Sequence, residues 1–183
     1  MLLRKLFPPL LLCAASLATG AEVPRPSPDF AVFLNDGRQI HISEYKGKVV
    51  VLAFILTTCP HCQFTSQVLT NLQQEYGPRG FQVMASAIED MAKMDVPDFV
   101  KRFQPAYPVG YNQREAAEDY LQHPVMFRLL MPQVVVIDRK GTIRAQFAGD
   151  DKFFEKAEQE KNFRDLIGPL LKEGQAQTAG RKK

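Results

Sequence analysis

Two cysteines separated by two residues are the part of this sequence best suited to chemistry. Cys59 and Cys62 enclose Pro60 and His61 and follow a run of apolar, largely β-branched residues, 49–56, that predicts a buried strand. Proline suits the first position of a helix, so Pro60 indicates that the pair lies where this strand ends and a helix begins. A thiolate at a helix N-terminus is stabilised by unpaired backbone N–H groups and by the helix dipole. We therefore predict that Cys59 is the reactive, solvent-facing sulfur.

The remaining cysteine lies in a segment typical of export signals. Residues 1–20 contain Arg4 and Lys5, then an apolar run that includes Cys13, then small residues. This pattern predicts a secretory signal and a periplasmic or secreted protein, or an N-terminal membrane anchor if the segment is not cleaved. The mature chain would carry only the Cys59–Cys62 pair. An exported protein with one close pair and no disulfide framework is predicted to use that pair in catalysis.

Size and charge limit the other possibilities. The chain has 183 residues, 45% of them hydrophobic, which is enough for one globular domain with a full core. Removing Arg4 and Lys5 from the 23 basic residues leaves 21, against 20 acidic residues. Such an even balance argues against a nucleic-acid partner.

Predicted strands and helices alternate along the rest of the chain. We predict an extended linker at 21–28, one domain at 29–172 and a disordered polar tail at 173–183. The domain is predicted to open with a β-hairpin, to continue with parallel β-α-β units and an antiparallel hairpin, and to end in a helix. The predicted strands are 30–34, 39–42, 49–56, 81–88, 107–111 and a hairpin pair within 131–147, and the predicted helices are one of about 17 residues ending before Gly77, then 95–104 opening at Pro97, 114–121 and 162–171.

Three of these features together resemble the exported thioredoxin-like proteins of the TlpA/ResA type, over roughly 27–172. They are the Cys-Pro-His-Cys motif after a buried strand, Pro132 immediately before a strand, and the hairpin at 137–141. The resemblance implies an α/β, thioredoxin-like fold with a central mixed β-sheet flanked by helices. It also implies that the N-terminal β-hairpin and a βα insertion at 89–111 are additions to a plain thioredoxin.

The resemblance further implies thiol–disulfide exchange with other proteins. Cys59 would attack a partner disulfide as a thiolate, and Cys62 would resolve the mixed disulfide, so the expected redox group is the Cys59–Cys62 disulfide, with no metal or other cofactor. Pro132 is expected to be a cis proline facing the cysteines, and Met131 and Pro60 are expected to contact the substrate. The implied partners are client or assembly-factor proteins with cysteines and a membrane electron donor or acceptor, with the chain itself a monomer.

His61 leaves the direction of electron flow open. A histidine between the cysteines is predicted to stabilise the Cys59 thiolate, which favours the reduced form and makes the disulfide more oxidising. The Pro-His dipeptide resembles that of the DsbA-type oxidases, whereas the overall resemblance implies a periplasmic reductant. We therefore predict an oxidoreductase without assigning it a direction.

The sequence departs from the family at positions that matter for proton handling. Thr57–Thr58 replaces a Trp-containing segment, Ala53 stands where plain thioredoxins have a buried acid, and Thr65 stands where the ResA branch has a glutamate. Glu89 follows the strand at 81–88 and could approach the site, but we predict that it is a solvated loop acid. The sequence therefore does not identify the proton acceptor for Cys62.

Three other functions use the same residues. In a copper carrier, the cysteine pair would bind Cu(I) with His123 or Met131 as a third ligand. A thiol peroxidase of the peroxiredoxin class would need a proline and a threonine ahead of the reactive cysteine, where Leu52 and Leu56 stand. A structural disulfide in a binding module would close a loop too short to constrain the unfolded chain much. Thiol–disulfide exchange is the preferred prediction.

Overall fold

The computed structural model describes residues 21–173. The predicted signal, 1–20, and the predicted tail apart from Glu173 lie outside these residues. The eight strands are β1 (Arg25–Pro26), β2 (Ala31–Phe33), β3 (Gln39–His41), β4 (Val49–Ile55), β5 (Phe81–Ala87), β6 (Val109–Tyr111), β7 (Gln133–Ile137) and β8 (Thr142–Phe147), and the four helices are α1 (Pro60–Tyr76), α2 (Ala92–Phe103), α3 (Arg114–Leu121) and α4 (Gln159–Glu173). Between 21 and 173, no helix is both long and apolar enough to cross a membrane.

All eight strands belong to one mixed sheet, in the order β1-β8-β7-β4-β5-β6-β2-β3. β4, β5 and β6 are parallel, and β7 pairs with β4 in the antiparallel direction. The carboxyl end of β4 and the start of β7 therefore lie at the same end of the sheet, where Phe54 is opposite Gln133. The predicted mixed α/β sheet is confirmed.

β4 is the centre of the molecule because both of its faces are covered. Val49, Val51, Ala53 and Ile55 pack with α1, α2 and α4, whereas alternate residues of the strand pack with α3 and the β2–β3 hairpin. Every residue of β4 is buried. This explains why the strand reads as a continuous apolar run, since alternation would leave one face polar.

The structure corrects three boundaries. α2 begins at Ala92 rather than Asp95, so Pro97 lies inside the helix, and the first turn is tightened by a 2.8 Å bond from the Met94 N–H to the Met91 carbonyl. α4 begins at Gln159 rather than at Asn162, and it continues through Pro169, as the predicted range did. In both helices a buried apolar stripe outweighs the donor that proline lacks.

The third correction concerns the predicted linker at 21–28. This segment is not free, because Arg25 and Pro26 form β1 at the edge of the sheet. The Ser27 N–H donates to the Gly141 carbonyl (2.8 Å), and the Arg25 guanidinium donates to Gln146 Oε1 (2.8 Å). The segment is extended, as predicted, but it is part of the folded domain.

Candidate active site

The cysteine pair lies at the junction between β4 and α1, as predicted. Cys59 is the N-cap of α1, with extended backbone angles (φ −77°, ψ 120°), and Pro60 is in the first turn. The Cys59 carbonyl accepts the Gln63 N–H at 3.0 Å, which starts the helix. Cys59 is partly exposed and Cys62 is fully buried. Only the first sulfur is therefore open to a partner protein.

Burial sets the chemistry of Cys62. The Leu56 N–H donates to Cys62 Sγ at 3.5 Å. Burial raises the pKa of the Cys62 thiol well above its ordinary value, and the thiol of Cys59 and the carboxylate of Glu89 raise it further. Cys62 thus keeps its proton in the reduced protein.

Glu89 is not the solvated loop acid that we predicted. It follows β5 at the same end of the sheet as the cysteine pair and is half-buried. Its Oε1 accepts the Thr57 N–H at 2.7 Å and also accepts the Thr57 hydroxyl. The prediction failed because sequence alone does not show that parallel pairing of β5 with β4 brings residue 89 to the turn that precedes Cys59.

The segment before β7 lies at the same end of the sheet as the cysteine pair. The Met131–Pro132 peptide bond is cis, as predicted, and Pro132 is buried beside the end of β4. Met131 packs against the apolar cluster that contains Cys62. Behind it, the Gly149 N–H donates to the Leu130 carbonyl at 3.2 Å, and a Cβ at Gly149 would overlap the Met131 carbonyl. Gly149 was not identified from the sequence, because no local pattern shows this contact.

A profile of the Redoxin family matches residues 22–162. The chain belongs to the Redoxin family. It is 25% identical to the thiol-disulfide oxidoreductase ResA of Bacillus thuringiensis over 130 residues, which is 70% of this chain and 71% of that one. It is 26% identical to ResA of Geobacillus thermodenitrificans over 132 residues, 72% of each chain.

A solved structure is also similar to this Redoxin-family chain. The putative thiol:disulfide interchange protein DsbE of Chlorobium tepidum superposes with a TM-score of 0.65 at 25% identity, over 81% of this chain and 96% of that one. The thioredoxin-like fold and the resemblance to the TlpA/ResA type are therefore confirmed.

Two positions at which the resemblance implied a buried acid, 53 and 65, hold no carboxylate in this Redoxin domain. Ala53 is fully buried between β5 and β7. Thr65 is buried as well, and its hydroxyl accepts a 3.0 Å hydrogen bond from the Gln159 amide at the start of α4. Thr65 is thus bonded to a neutral group, and the only acid bonded to the turn at Leu56–Thr57 in the described range 21–173 is Glu89.

The histidines of the Redoxin domain do not converge on the cysteines in any described contact. His61 is exposed on the first turn of α1, and His123 lies 3.1 Å from the Phe127 carbonyl of its own loop. Across residues 21–173, no three His, Cys, Asp or Glu side chains are grouped as metal ligands would be. The roles predicted for His61, Pro60 and Met131 stay predictions.

Proposed function

We propose that this chain is an exported thiol–disulfide oxidoreductase that acts on cysteine-containing proteins through Cys59 and Cys62. The observation that carries the proposal is the asymmetry of the pair, with a partly exposed sulfur at the N-terminus of α1 and a buried, protonated one a turn later. The ResA relatives and the DsbE structure bear names that describe the same chemistry. Oxidoreductase activity thus agrees with the fold, the relatives and the geometry.

The exchange proceeds in two displacements. The Cys59 thiolate, at the N-terminus of α1, attacks one sulfur of a partner disulfide and releases the other as a thiolate. Cys62 then loses its proton and attacks the Cys59 sulfur of the mixed disulfide. The products are a Cys59–Cys62 disulfide and a partner dithiol, and the same steps in reverse oxidise a partner.

A protein partner suits the surface beside the site. The loop that leads to Pro132 exposes Val125, Met126 and Phe127, with 90%, 83% and 58% of their areas accessible. Consecutive exposed apolar side chains are typical of surfaces that contact other proteins. We propose that this loop docks the partner while the Met131 backbone pairs with the chain around the partner's disulfide.

Replacing the resolving cysteine tests the exchange. The Cys62→Ser variant should accumulate mixed disulfides with partner proteins that a reductant releases, because the first displacement can occur and the second cannot. Cys59→Ser is the matched control, since it lacks the attacking sulfur and should form none. Equal adduct formation by the two variants, or none by Cys62→Ser under mild oxidation, would contradict the proposal.

The reduction potential decides the direction. A value near −270 mV, as in thioredoxin, would indicate a reductant supplied by a membrane electron donor, and a value near −120 mV, as in DsbA, would indicate an oxidant whose thiolate His61 stabilises. The His61→Ala variant should then shift the potential toward more negative values. Export is checked separately, by the N-terminus of the mature protein, which should follow Ala18 or Gly20.

A further inference from the structure

The thiol of Cys62 and the carboxylate of Glu89 are bound by neighbouring peptide units. The Leu56 N–H donates to Cys62 Sγ (3.5 Å), and the next N–H along the chain, that of Thr57, donates to Glu89 Oε1 (2.7 Å). The Gln63 amide of α1 donates to the Thr57 carbonyl at 2.9 Å and fixes the same turn. Consecutive N–H groups of one turn therefore hold the resolving thiol and a carboxylate, and the charge of Glu89 acts on Cys62.

The two oxygens of Glu89 have different surroundings. Oε1 accepts both donors of Thr57, whereas Oε2 is enclosed and receives no hydrogen bond from the described part of the chain. An enclosed carboxylate oxygen without a donor is costly, and in native proteins each such group calls for an explanation, of which a catalytic role is one. Oε2 is the oxygen that is free to take up a proton.

Cys62 requires an acceptor of this kind. Its burial keeps the fraction of thiolate very low near neutral pH, and the thiolate is the form that attacks a disulfide. The buried neighbours at positions 53 and 65 are alanine and threonine, which cannot serve as a base. The other ionisable group that interacts with Cys62 is Cys59, which is already consumed in the mixed disulfide at this stage.

The remaining charges around the site lie on open clefts, and Glu89 itself lines one of about 820 Å³ together with Asp90, Lys93, Arg114 and Glu115. Asp95, Asp98 and Arg102 of α2 line an open cleft of about 190 Å³ together with Thr57 and Gln63. On the opposite side, Lys156 Nζ lies 5.6 Å from the centre of the Phe64 ring. Groups on an open cleft interact mainly with solvent, which screens their charge.

We propose that Glu89 accepts the proton that Cys62 releases when it resolves the mixed disulfide. This inference rests on the proposed exchange at Cys59 and Cys62. The Cys62 thiol transfers its proton to the carboxylate, its sulfur forms a bond to the Cys59 sulfur, and the bond from Cys59 to the partner sulfur breaks, with the electron pair leaving on the partner thiolate. Glu89 then returns its proton to solvent.

The aromatic disulfide dithiobis(nitrobenzoate) separates the two steps. Cys59 attacks it and releases one coloured thionitrobenzoate in a phase that depends on reagent concentration. Cys62 then releases the second one in a phase that does not. The Cys62→Ser variant should show the first phase only. A wild-type protein without a second phase would contradict the proposed function itself, and the role of Glu89 would fall with it.

The Glu89→Gln variant tests the acceptor. Glutamine keeps an oxygen for both Thr57 donors but cannot take a proton, so only the second phase should slow, by about 10²-fold near pH 7. That phase should also become about tenfold faster per pH unit, because hydroxide must then ionise the thiol. Asp90→Asn, at an exposed neighbouring residue, makes the same charge change and should leave both phases as they are.

Two other results would overturn the proposal. A second phase in Glu89→Gln equal to that of Asp90→Asn would mean that Glu89 only holds the Thr57 turn, and a faster one would mean that Glu89 acts only through its charge. If Glu89→Gln does not fold, the wild-type protein still tests whether the proton acceptor is internal. Its second phase should be independent of buffer concentration, and a tenfold rise per pH unit would exclude an internal acceptor.

Discussion

The polar groups near the amino and carboxyl ends of β4 differ in their hydrogen bonding. At the amino end, the guanidinium of Arg139, in the β7–β8 turn, donates to three backbone carbonyls from three separate segments: Gly47 (2.7 Å), Arg79 (3.0 Å) and Leu171 (3.2 Å). A single side chain thus ties the strand to the ends of α1 and α4, although its Nε–H meets no acceptor within residues 21–173. At the carboxyl end, a buried thiol and a carboxylate oxygen without a donor lie in the same turn.

The difference separates stability from chemistry. Buried polar groups that are paired stabilise the fold and resist change, whereas groups left short of partners are costly and can exchange protons or bonds. We therefore expect substitutions at the amino end of β4 to change the free energy of unfolding and to leave the exchange rates alone. Substitutions at the carboxyl end should change the rates first.

The largest effect on stability is expected for Arg139→Ala. Its loss leaves three carbonyls without a charged donor, and each such bond is worth about 1.5–3 kcal/mol when its partner stays buried, less where solvent enters. We expect the free energy of unfolding to fall by about 2–4 kcal/mol in urea titrations. Both phases of the reaction with dithiobis(nitrobenzoate) should keep their wild-type rates in native conditions.

A matched arginine shows whether the contacts or the charge matter. Arg38 pairs only with the exposed Asp36, so Arg38→Ala should leave the unfolding transition in place. A slower exchange rate in Arg139→Ala would show that the two ends of the strand are coupled. The comparison would then be wrong.

The next largest effect is expected for Gly149→Ala, at the carboxyl end. The added Cβ would overlap the Met131 carbonyl, so the backbone before Pro132 must move. We expect a loss of about 1–3 kcal/mol of stability, as for other overpacked sites, and a larger relative loss in the rate with protein disulfides. Gly168→Ala is the control, because a Cβ there meets no atom within 4 Å. Unchanged exchange with proteins would show that the Met131 backbone does not contact the partner.

Most of the strands, helices and turns around the site could be predicted from local sequence. The continuous apolar run of β4, the proline after Cys59 and the turn at Asp138–Gly141 are local signals, and the elements they predicted are those observed. The α3 helix was predicted with its exact bounds, 114–121, because its charged face and apolar stripe are both within one short segment.

The site itself depends on contacts that no local pattern contains. Glu89 and Thr57 are 32 residues apart and meet only because β5 pairs in parallel with β4. Gly149 meets Met131 because β8 returns beside β7. A glutamate after a strand is most often solvated, so the sequence favoured the common case over the observed one.

Measuring the free energy of unfolding against pH should detect the contribution of Asp138, near the amino end of β4. Asp138 is buried, which alone would raise its pKa, but hydrogen bonds from the Thr142 N–H, the Arg144 guanidinium and the Lys140 N–H together lower its pKa. A carboxyl with a lowered folded pKa contributes stability above about pH 4, its unfolded value, and loses it as the pH falls through the folded value.

The Asp138→Asn variant should therefore be less stable than wild type at pH 6, and the difference should shrink as the pH falls toward 3. Urea titrations at each pH measure it. Asp165→Asn is the control, because Asp165 pairs with Lys161 in solvent and its substitution should give a difference that changes little with pH. A constant deficit in Asp138→Asn would show that the hydrogen bonds alone, and not the charge, stabilise the turn.

The smallest effect is expected at the docking loop, residues 125–127. It separates recognition of the partner protein from the chemistry of the cysteines. Changing Val125, Met126 and Phe127 to serine removes exposed apolar area and should slow exchange with protein disulfides several-fold, about 1 kcal/mol of docking energy. Both phases with the small aromatic disulfide should be unchanged, since that reagent needs only the cysteines. Val100→Ser removes exposed apolar area from α2 and should slow neither reaction. If the loop variant slowed both reactions equally, the loop would be shaping the cysteine site, and recognition and chemistry would share one structure.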